Sequence, residues 1–272
     1  MYILSKSVQI YVISHKEVEG ISSDNLYTPL FVGSQGKKDF FDNNGRKYQR
    51  DDTGDNISIR NPDYAELTGL YWMWKNSSAD IIGLVHYRRY FANRKYGGRL
   101  EKEDLDEIFK DYDIILPKRT KSLFDNVYQD YAHWNYAKDL DLSRKIIKET
   151  TPEYLDSFDR VMKGNSLYYY NMFIAPKDLI SGYCKWVFPI LFEIEKRVNL
   201  EGYDSYQQRI YGFLTERLFD VWMDKQNFRV KECELKVIGR RLNIHMWIAK
   251  RWITRKIYKN IYVGLLHKSK KR

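Results

Sequence analysis

The chain has 272 residues, enough for one large domain, and only two cysteines, Cys184 and Cys233, far apart and without metal-ligand spacing. That pattern excludes a disulfide scaffold and a zinc centre and fits a reducing, cytoplasmic compartment. The net charge of +10 is uneven: all 36 acidic residues lie at or before Glu234 beside 34 basic ones, and Lys236–Arg272 adds 12 Lys and Arg with no acid.

This asymmetry divides the chain into a slightly acidic body, residues 1–234, and a basic segment, residues 235–272, that suits an anionic partner. The apolar N-terminal run VQIYVIS is strand-sized, and no run reaches the ~18 apolar residues of a membrane span. Aromatics form 16% of the chain, including 23 Tyr, which supplies packing and also suits sugar-stacking surfaces.

SVQIYVISHK reads as a first strand and LFVGS as a second, followed by a long polar loop from Gln35 to Ile59. A helix is expected over NPDYAELTGLYWMWKN, capped by Asn61 with Pro62 in its first turn, and with Tyr64, Leu67, Tyr71 and Trp74 on one face. Then come the strand in ADIIGLVHYRRYF, a charged helix near 101–110 and the strand in YDIILPKR. Residues 121–165 read as mostly helical, and LYYYNMFIAPK as an aromatic strand. Asp178 is expected to cap a helix whose stripe runs from Tyr183 to Val198, with a kink at Pro189. A last helix is expected from Ser205, with Gln208 completing a capping box. Strands alternating with helices predict an α/β fold with a mostly parallel sheet.

The apolar run IIGLV enters His86, Tyr87, Arg88 and Arg89 before any turn residue. Ligands of open α/β sheets bind beyond the carboxyl ends of the strands. His86, Arg88 and Arg89 therefore read as an anion site, with an ordinary basic surface patch as the alternative. There is no Walker motif, G-x-G-x-x-G, G-x-S-x-G or supported Cys/His pair to compete with it.

Four blocks carry a family resemblance: DNISIRNPDYAELTGLYWMWKN, IIGLVHYRRYF, YYYNMFIAPKDLISGYCKWVFPILFEIEK and QQRIYGFLTERLFDVWM. Together they resemble a bacterial family of the DUF4422 type, long catalogued as a domain of unknown function and found in capsule and exopolysaccharide gene clusters. The resemblance runs from the first strand to about residue 230. It implies glycosyltransferases, some moving galactofuranose from its UDP donor, with a GT-A-like nucleotide-sugar fold. In many such folds the strand corresponding to IIGLV ends in Asp-x-Asp, which holds a divalent metal. Here His86, Arg88 and Arg89 stand in that place, so the resemblance implies donor diphosphate held by fixed cations without a required metal. If a metal such as manganese is used, Asp52 and Asp55 of the long loop are its candidates, a solvated acidic loop being the alternative reading.

The resemblance further implies a carboxylate that takes the acceptor hydroxyl's proton. Glu216 is the candidate, with Glu66 as its rival; both are equally explicable as ion-paired structural residues. His15, after the first strand, falls where the nucleotide site begins. Asn171, Tyr170, Glu66 and His133 are candidates for sugar or acceptor contacts, against strand-edge and packed-loop alternatives. The expected acceptor is a lipid-linked oligosaccharide.

In the basic segment, Leu242, Met246, Ala249, Ile253 and Ile257 share one helical face flanked by Trp247, Trp252 and many cations. That pattern predicts a helix lying on the anionic inner surface of the cell membrane through residues 240–272, or packed on the body. A non-enzyme alternative binds nucleic acid or membrane through this tail, but the body is acidic and shows no nucleic-acid motif. A phosphate-ester hydrolase would need a nucleophile or metal cluster that the sequence lacks.

Overall fold

The computed structural model describes residues 6–18, 23–93 and 97–239. The chain divides into two units, Met1–Lys236 and Val237–Arg272, and the first is described here. The amphipathic helix expected within residues 240–272 lies outside the described residues.

The central sheet is built from β1 (Val8–Ser14), β2 (Tyr27–Phe31), β3 (Gln49–Arg50), β4 (Ile81–His86), β5 (Arg89–Phe91), β6 (Ile114–Pro117), β9 (Phe173–Pro176) and β10 (Val230–Cys233). A separate ribbon pairs β7 (Thr120–Lys121) with β8 (Ser166–Leu167). Across the main sheet the order is β10-β6-β9-β4-β1-β2-β3. β1, β2, β3 and β4 are parallel, as are β6 and β10, while β9 runs antiparallel between β4 and β6. The sheet is therefore mixed but mostly parallel, and β1, β4 and β6 all end at the same edge.

Both faces are covered, which is why the strands read as continuous apolar runs. Successive residues alternate between two cores. Ile82 and Leu84 of β4 join the larger one, with Leu70, Ile190 and Leu214 from helices. Ile81 and Val85 face the smaller one, with Ile10, Ile174 and Leu105. At Gly83 a side chain would lie 3.0 Å from both Ile10 and Ile174, so the β1–β4–β9 approach depends on its absence.

The helices are α1 (Asn61–Tyr64), α2 (Leu67–Asn76), α3 (Lys102–Asp111), α4 (Val127–Trp134), α5 (Ala137–Thr150), α6 (Leu155–Lys163), α7 (Lys177–Arg197) and α8 (Ile210–Lys225). Several boundaries differ from expectation. The second strand begins at Tyr27, because its ladder with β1 runs from Ile10–Tyr27 to Ser14–Phe31. The single helix expected over 61–76 is broken at Ala65, whose φ of 50° cannot continue a right-handed helix. Asn61 is the first residue of α1 and its side-chain amide donates to Ala65 O (2.7 Å) and Thr68 Oγ1 (3.1 Å), bridging the break. α7 starts at Lys177, with Pro176 in the cap position that was expected of Asp178, and continues through Pro189. The last helix, α8, begins at Ile210, later than the expected Ser205, and the capping box lies one residue earlier than expected: Asp204 Oδ1 accepts from Gln207 N (2.8 Å) and Gln207 Oε1 accepts from Asp204 N (3.3 Å). That box heads a 3-10 turn over Gln207–Arg209 leading into α8.

Candidate active site

His86 closes β4 and pairs with Arg89 of β5, so Tyr87 and Arg88 form the tip of a tight hairpin. The basic cluster is thus itself the turn, which explains why no Gly, Asn or Asp precedes it. Next to β4, the expected continuous strand over residues 167–177 is interrupted: Tyr170 and Asn171 have φ of 78° and 50°. With Ala65 these are the non-glycine residues of positive φ among those described. A left-handed tyrosine costs energy and persists only when its surroundings hold it.

Five groups hold the Tyr170–Asn171 segment. His86 Nε2 lies 2.8 Å from Tyr170 O, a contact that requires Nε2 to carry the hydrogen. Tyr170 N donates to Glu216 Oε1 (2.8 Å). The Asn171 amide donates to Glu66 Oε1 (2.8 Å) and to Gly212 O (3.3 Å). The Arg89 guanidinium sits 4.4 Å from the centre of the Tyr170 ring. Four of the predicted residues, Glu66, His86, Asn171 and Glu216, therefore converge on one bent segment, although they come from α8 and three other parts of the chain. Gly212 lies under this contact; a side chain there would meet Glu66 Oε1 at 3.7 Å, so what approaches Gly212 is the Glu66 carboxylate.

The two carboxylates differ. Glu216 Oε2 accepts from Arg217 (2.9 Å), and Arg217 also reaches Asp130 (3.4 Å) while only 5% exposed. Burial pushes the Glu216 carboxyl above its ordinary 4.5, Glu66 adds to the rise, and Arg217 with the Tyr170 N–H opposes it. Glu66 leaves Oε2 facing Arg209 at 3.8 Å. A carboxylate with a raised pKa beside a second carboxylate is the electrostatic arrangement of a general base that works near neutral pH. For His86, burial lowers the pKa below 6.5 against the pull of Glu66. The ring is neutral at pH 7, which makes it an anchor for Tyr170 more than a source of positive charge.

Positive charge comes from the neighbouring loops. The His15 pKa is lowered by burial first and then by Lys16, Arg209, Lys37 and Arg88. Four cations thus act on His15 in the loop that follows β1. Tyr87 lies among them, with His15 edge-on at 6.0 Å, Lys16 at 5.7 Å and Arg88 at 5.1 Å from its ring. Lys16, Lys37 and Arg209 carry no sequence signal beyond their charge. They come from loops after β1 and β2 and from the turn before α8, and only the fold collects them.

Other predicted residues lie in different networks. Asp52 pairs with Arg50 (2.6 Å), and Asp55 accepts from Tyr71 (3.0 Å) and faces Lys75 (3.4 Å). His133 Nε2 is 3.4 Å from Asp125 Oδ1 at the end of α4. The sequence also holds three Asp-x-Asp pairs, Asp104/Asp106, Asp111/Asp113 and Asp139/Asp141, and a member of each is bound into a structural network. Asp104 receives Asn93 and the Glu101 N–H, Asp113 holds Arg229, and Asp139 receives Tyr131 and Tyr203. Among the described residues no three His, Cys, Asp or Glu side chains are grouped closely enough to hold a metal ion. Among them, too, no helix is long and apolar enough to cross a membrane.

A mostly parallel sheet with helices on both faces, and a charged site at the carboxyl ends of β1 and β4, defines a GT-A-like α/β fold. Residues 9–227 match the profile of the family described as a domain of unknown function (DUF4422), and the chain belongs to that family. Among solved structures it is similar to the apo structure of WbbM, a bifunctional glycosyltransferase. The identity is 28% over 86% of this chain and 46% of that one, with a TM-score of 0.76. The chain therefore spans less than half the length of that protein. No curated protein matches it significantly.

Proposed function

We propose that this chain is a glycosyltransferase that moves a sugar from a nucleotide diphosphate to a saccharide hydroxyl. The observation that carries the reading is the position of Arg209, which faces Glu66 (3.8 Å) and also acts on His15, so that it links the cations around His15 to the Tyr170–Asn171 segment where Glu66 and Glu216 meet. The likeness to a bifunctional glycosyltransferase supports it.

In this reading Lys16, Lys37, Arg88 and Arg209 bind the donor diphosphate, and His15 with Tyr87 floors that pocket. Glu216 takes the proton of the acceptor hydroxyl. The freed oxygen forms the new bond to the anomeric carbon as the bond from that carbon to the phosphate oxygen breaks. The electron pair leaves with the nucleotide diphosphate, whose developing charge the fixed cations stabilise. Glu66, oriented by Asn171, accepts a hydrogen bond from a sugar hydroxyl, and the half-exposed Tyr170 ring offers a stacking face.

The donor is proposed to be a UDP-sugar, with galactofuranose suggested by the family resemblance, and the acceptor a lipid-linked oligosaccharide of capsule or exopolysaccharide synthesis. The place of action is then the inner face of the cell membrane, reached through residues 240–272. Sedimentation with anionic liposomes checks that last point, and equal binding by a chain ending at Glu234 rejects it. The donor is tested by thermal shift with UDP-, GDP- and TDP-sugars. A ligand at ~100 times its dissociation constant stabilises by about 2.7 kcal/mol, a rise of roughly 5–10 °C for a domain of this size. No stabilisation and no turnover with any nucleotide sugar rejects the transferase reading.

A further inference from the structure

Between β7 and α4 the chain turns through Ser122–Asp125 and presents two adjacent large apolar side chains to solvent. Leu123 is 77% exposed and Phe124 is 62% exposed. The backbone holds them out. Ser122 N donates to Asn165 O (2.7 Å), and Asp125 N donates to Ser122 Oγ (3.1 Å). Val127 N donates to Gly164 O (2.8 Å), and Asn126 caps α4 by accepting from Gln129 N (2.8 Å). Both ends of the turn are thus tied to the β8 side, which fixes its backbone at the surface.

The exposed charge at the turn is cationic, while the turn's own Asp125 is buried and faces His133 (3.4 Å). Lys121 stands immediately before the turn and Lys163 immediately before Gly164, to which the turn is bonded; both are exposed. Lys118 and Arg119 at the base of the ribbon are held by Glu234 (2.5 Å) and Asp220 (2.6 Å). An apolar pair alone would suit a pocket on another protein. Flanked by lysines on both sides, it suits a surface that is anionic outside and apolar within.

We propose that this turn is a membrane-interface contact, with Leu123 and Phe124 entering an anionic bilayer while Lys121 and Lys163 meet headgroup phosphates. Its place in the fold gives the contact a purpose. β6, which leads into the ribbon, ends at the same sheet edge as β4 and His86. α4, which follows the turn, reaches Arg217 and Tyr169 through Asp130, and Arg217 holds Glu216. A bilayer seated on the turn lies one helix from the candidate base. The contact is independent of the basic C-terminal segment and of the transferase reading.

The test uses the full chain carrying Leu123→Cys labelled with nitrobenzoxadiazole; Cys184 and Cys233 are both buried. Vesicles of phosphatidylcholine containing one third phosphatidylglycerol should shift the label's emission to the blue and raise it several-fold, and pure phosphatidylcholine should not. In sedimentation, the double variant Leu123→Ser/Phe124→Ser of the full chain should lose about tenfold in partitioning to the anionic vesicles. Its UDP affinity should be unchanged, which separates this contact from the sugar site. A vesicle-bound protein whose label reads as in water overturns the proposal, as does unchanged partitioning of the double variant. A label that responds to protein concentration without vesicles assigns the turn to a second copy and overturns it as well.

Discussion

Replacing Glu216 by Gln probes the proposed chemistry and its structural setting together. The amide keeps an oxygen for the Tyr170 N–H but cannot take a proton. It also turns an N–H₂ group or a neutral oxygen toward Arg217, which is 5% exposed and bonded to Glu216 Oε2 at 2.9 Å. Loss of a general base lowers turnover by ~100 to 10,000-fold. Loss of one charged hydrogen bond at a buried arginine costs about 1.5–3 kcal/mol. For a domain of this size that lowers Tm by roughly 3–12 °C, while native stability of about 5–15 kcal/mol leaves the fold populated. The assay is release of UDP in the presence of acceptor, with UDP affinity measured separately by calorimetry. The expected result is a collapse of kcat with UDP binding nearly unchanged, because the cations around His15 are untouched. In the proposed reading the wild-type chain should lose activity on the acid side, as Glu216 takes up its proton above the ordinary carboxylate range, and the residual activity of the variant should lack that limb. Turnover within about fivefold of wild type would refute the base assignment and return Glu216 to a purely structural role.

Further outcomes follow from the same geometry. Arg209→Ala removes a cation facing both Glu66 and the His15 pool, and should weaken UDP binding by about 10–100-fold in calorimetry. Activity should survive exhaustive EDTA treatment if fixed cations serve the diphosphate; loss restored by manganese would return attention to Asp52 and Asp55. Asp220, 1% exposed, is pushed by burial up to about 6 from 3.8, against the pull of Arg119. Its neutral form favours the fold, so this contribution is complete below about pH 4 and lost as pH rises through about 6, amounting to about 3 kcal/mol. Asp220→Asn should therefore gain on wild type in Tm between pH 5 and pH 8, and a pH-independent difference would contradict the shift. Ala65→Gly relieves a φ of 50° paired with a ψ of −127°, and should raise stability in urea unfolding by about 1 kcal/mol; a loss of stability would mean that the chain reversal is not strained.

The sheet was legible because burial on both faces writes itself as apolar runs such as IIGLV and DIIL, which periodicity detects without knowing the partners. Its breaks were not. HYRR turns without a turn residue, because the His86–Arg89 pairing and the ring contacts of Tyr87 fix the hairpin. LYYYNMF has the composition of a strand, yet left-handed Tyr170 and Asn171 interrupt it, an outcome imposed by His86, Glu66 and Glu216 from elsewhere in the chain. Tertiary contacts overrode local preference there. The same limit applies to charge. His86, Glu66, Asn171 and Glu216 could each be named singly from motif blocks, but no spacing rule reveals that Glu66 and Glu216 lie close enough to influence each other. Lys16, Lys37 and Arg209 were invisible because a loop cation has no pattern until the fold gathers it.

The backbone strain links these observations. Ala65 breaks the α1–α2 path immediately before Glu66, and Tyr170 and Asn171 supply the N–H and the amide that hold Glu216 and Glu66. Were residues 65–66 an ordinary helical turn, Glu66 would follow a continuous helix, and the path that lays its carboxylate over Gly212 would be lost. Were Tyr170–Asn171 regular strand, the N–H that meets Glu216 would be available to the sheet ladder. Three residues of positive φ, two of them the costly Ala65 and Tyr170, thus surround two carboxylates, and each places an atom that a regular element would direct elsewhere. Packing alone gives no reason for such a concentration, since the flanking strands β4 and β9 pair regularly from Leu84–Phe173 to Ile81–Pro176. Strain retained where regular structure was available supports the proposed role of this segment.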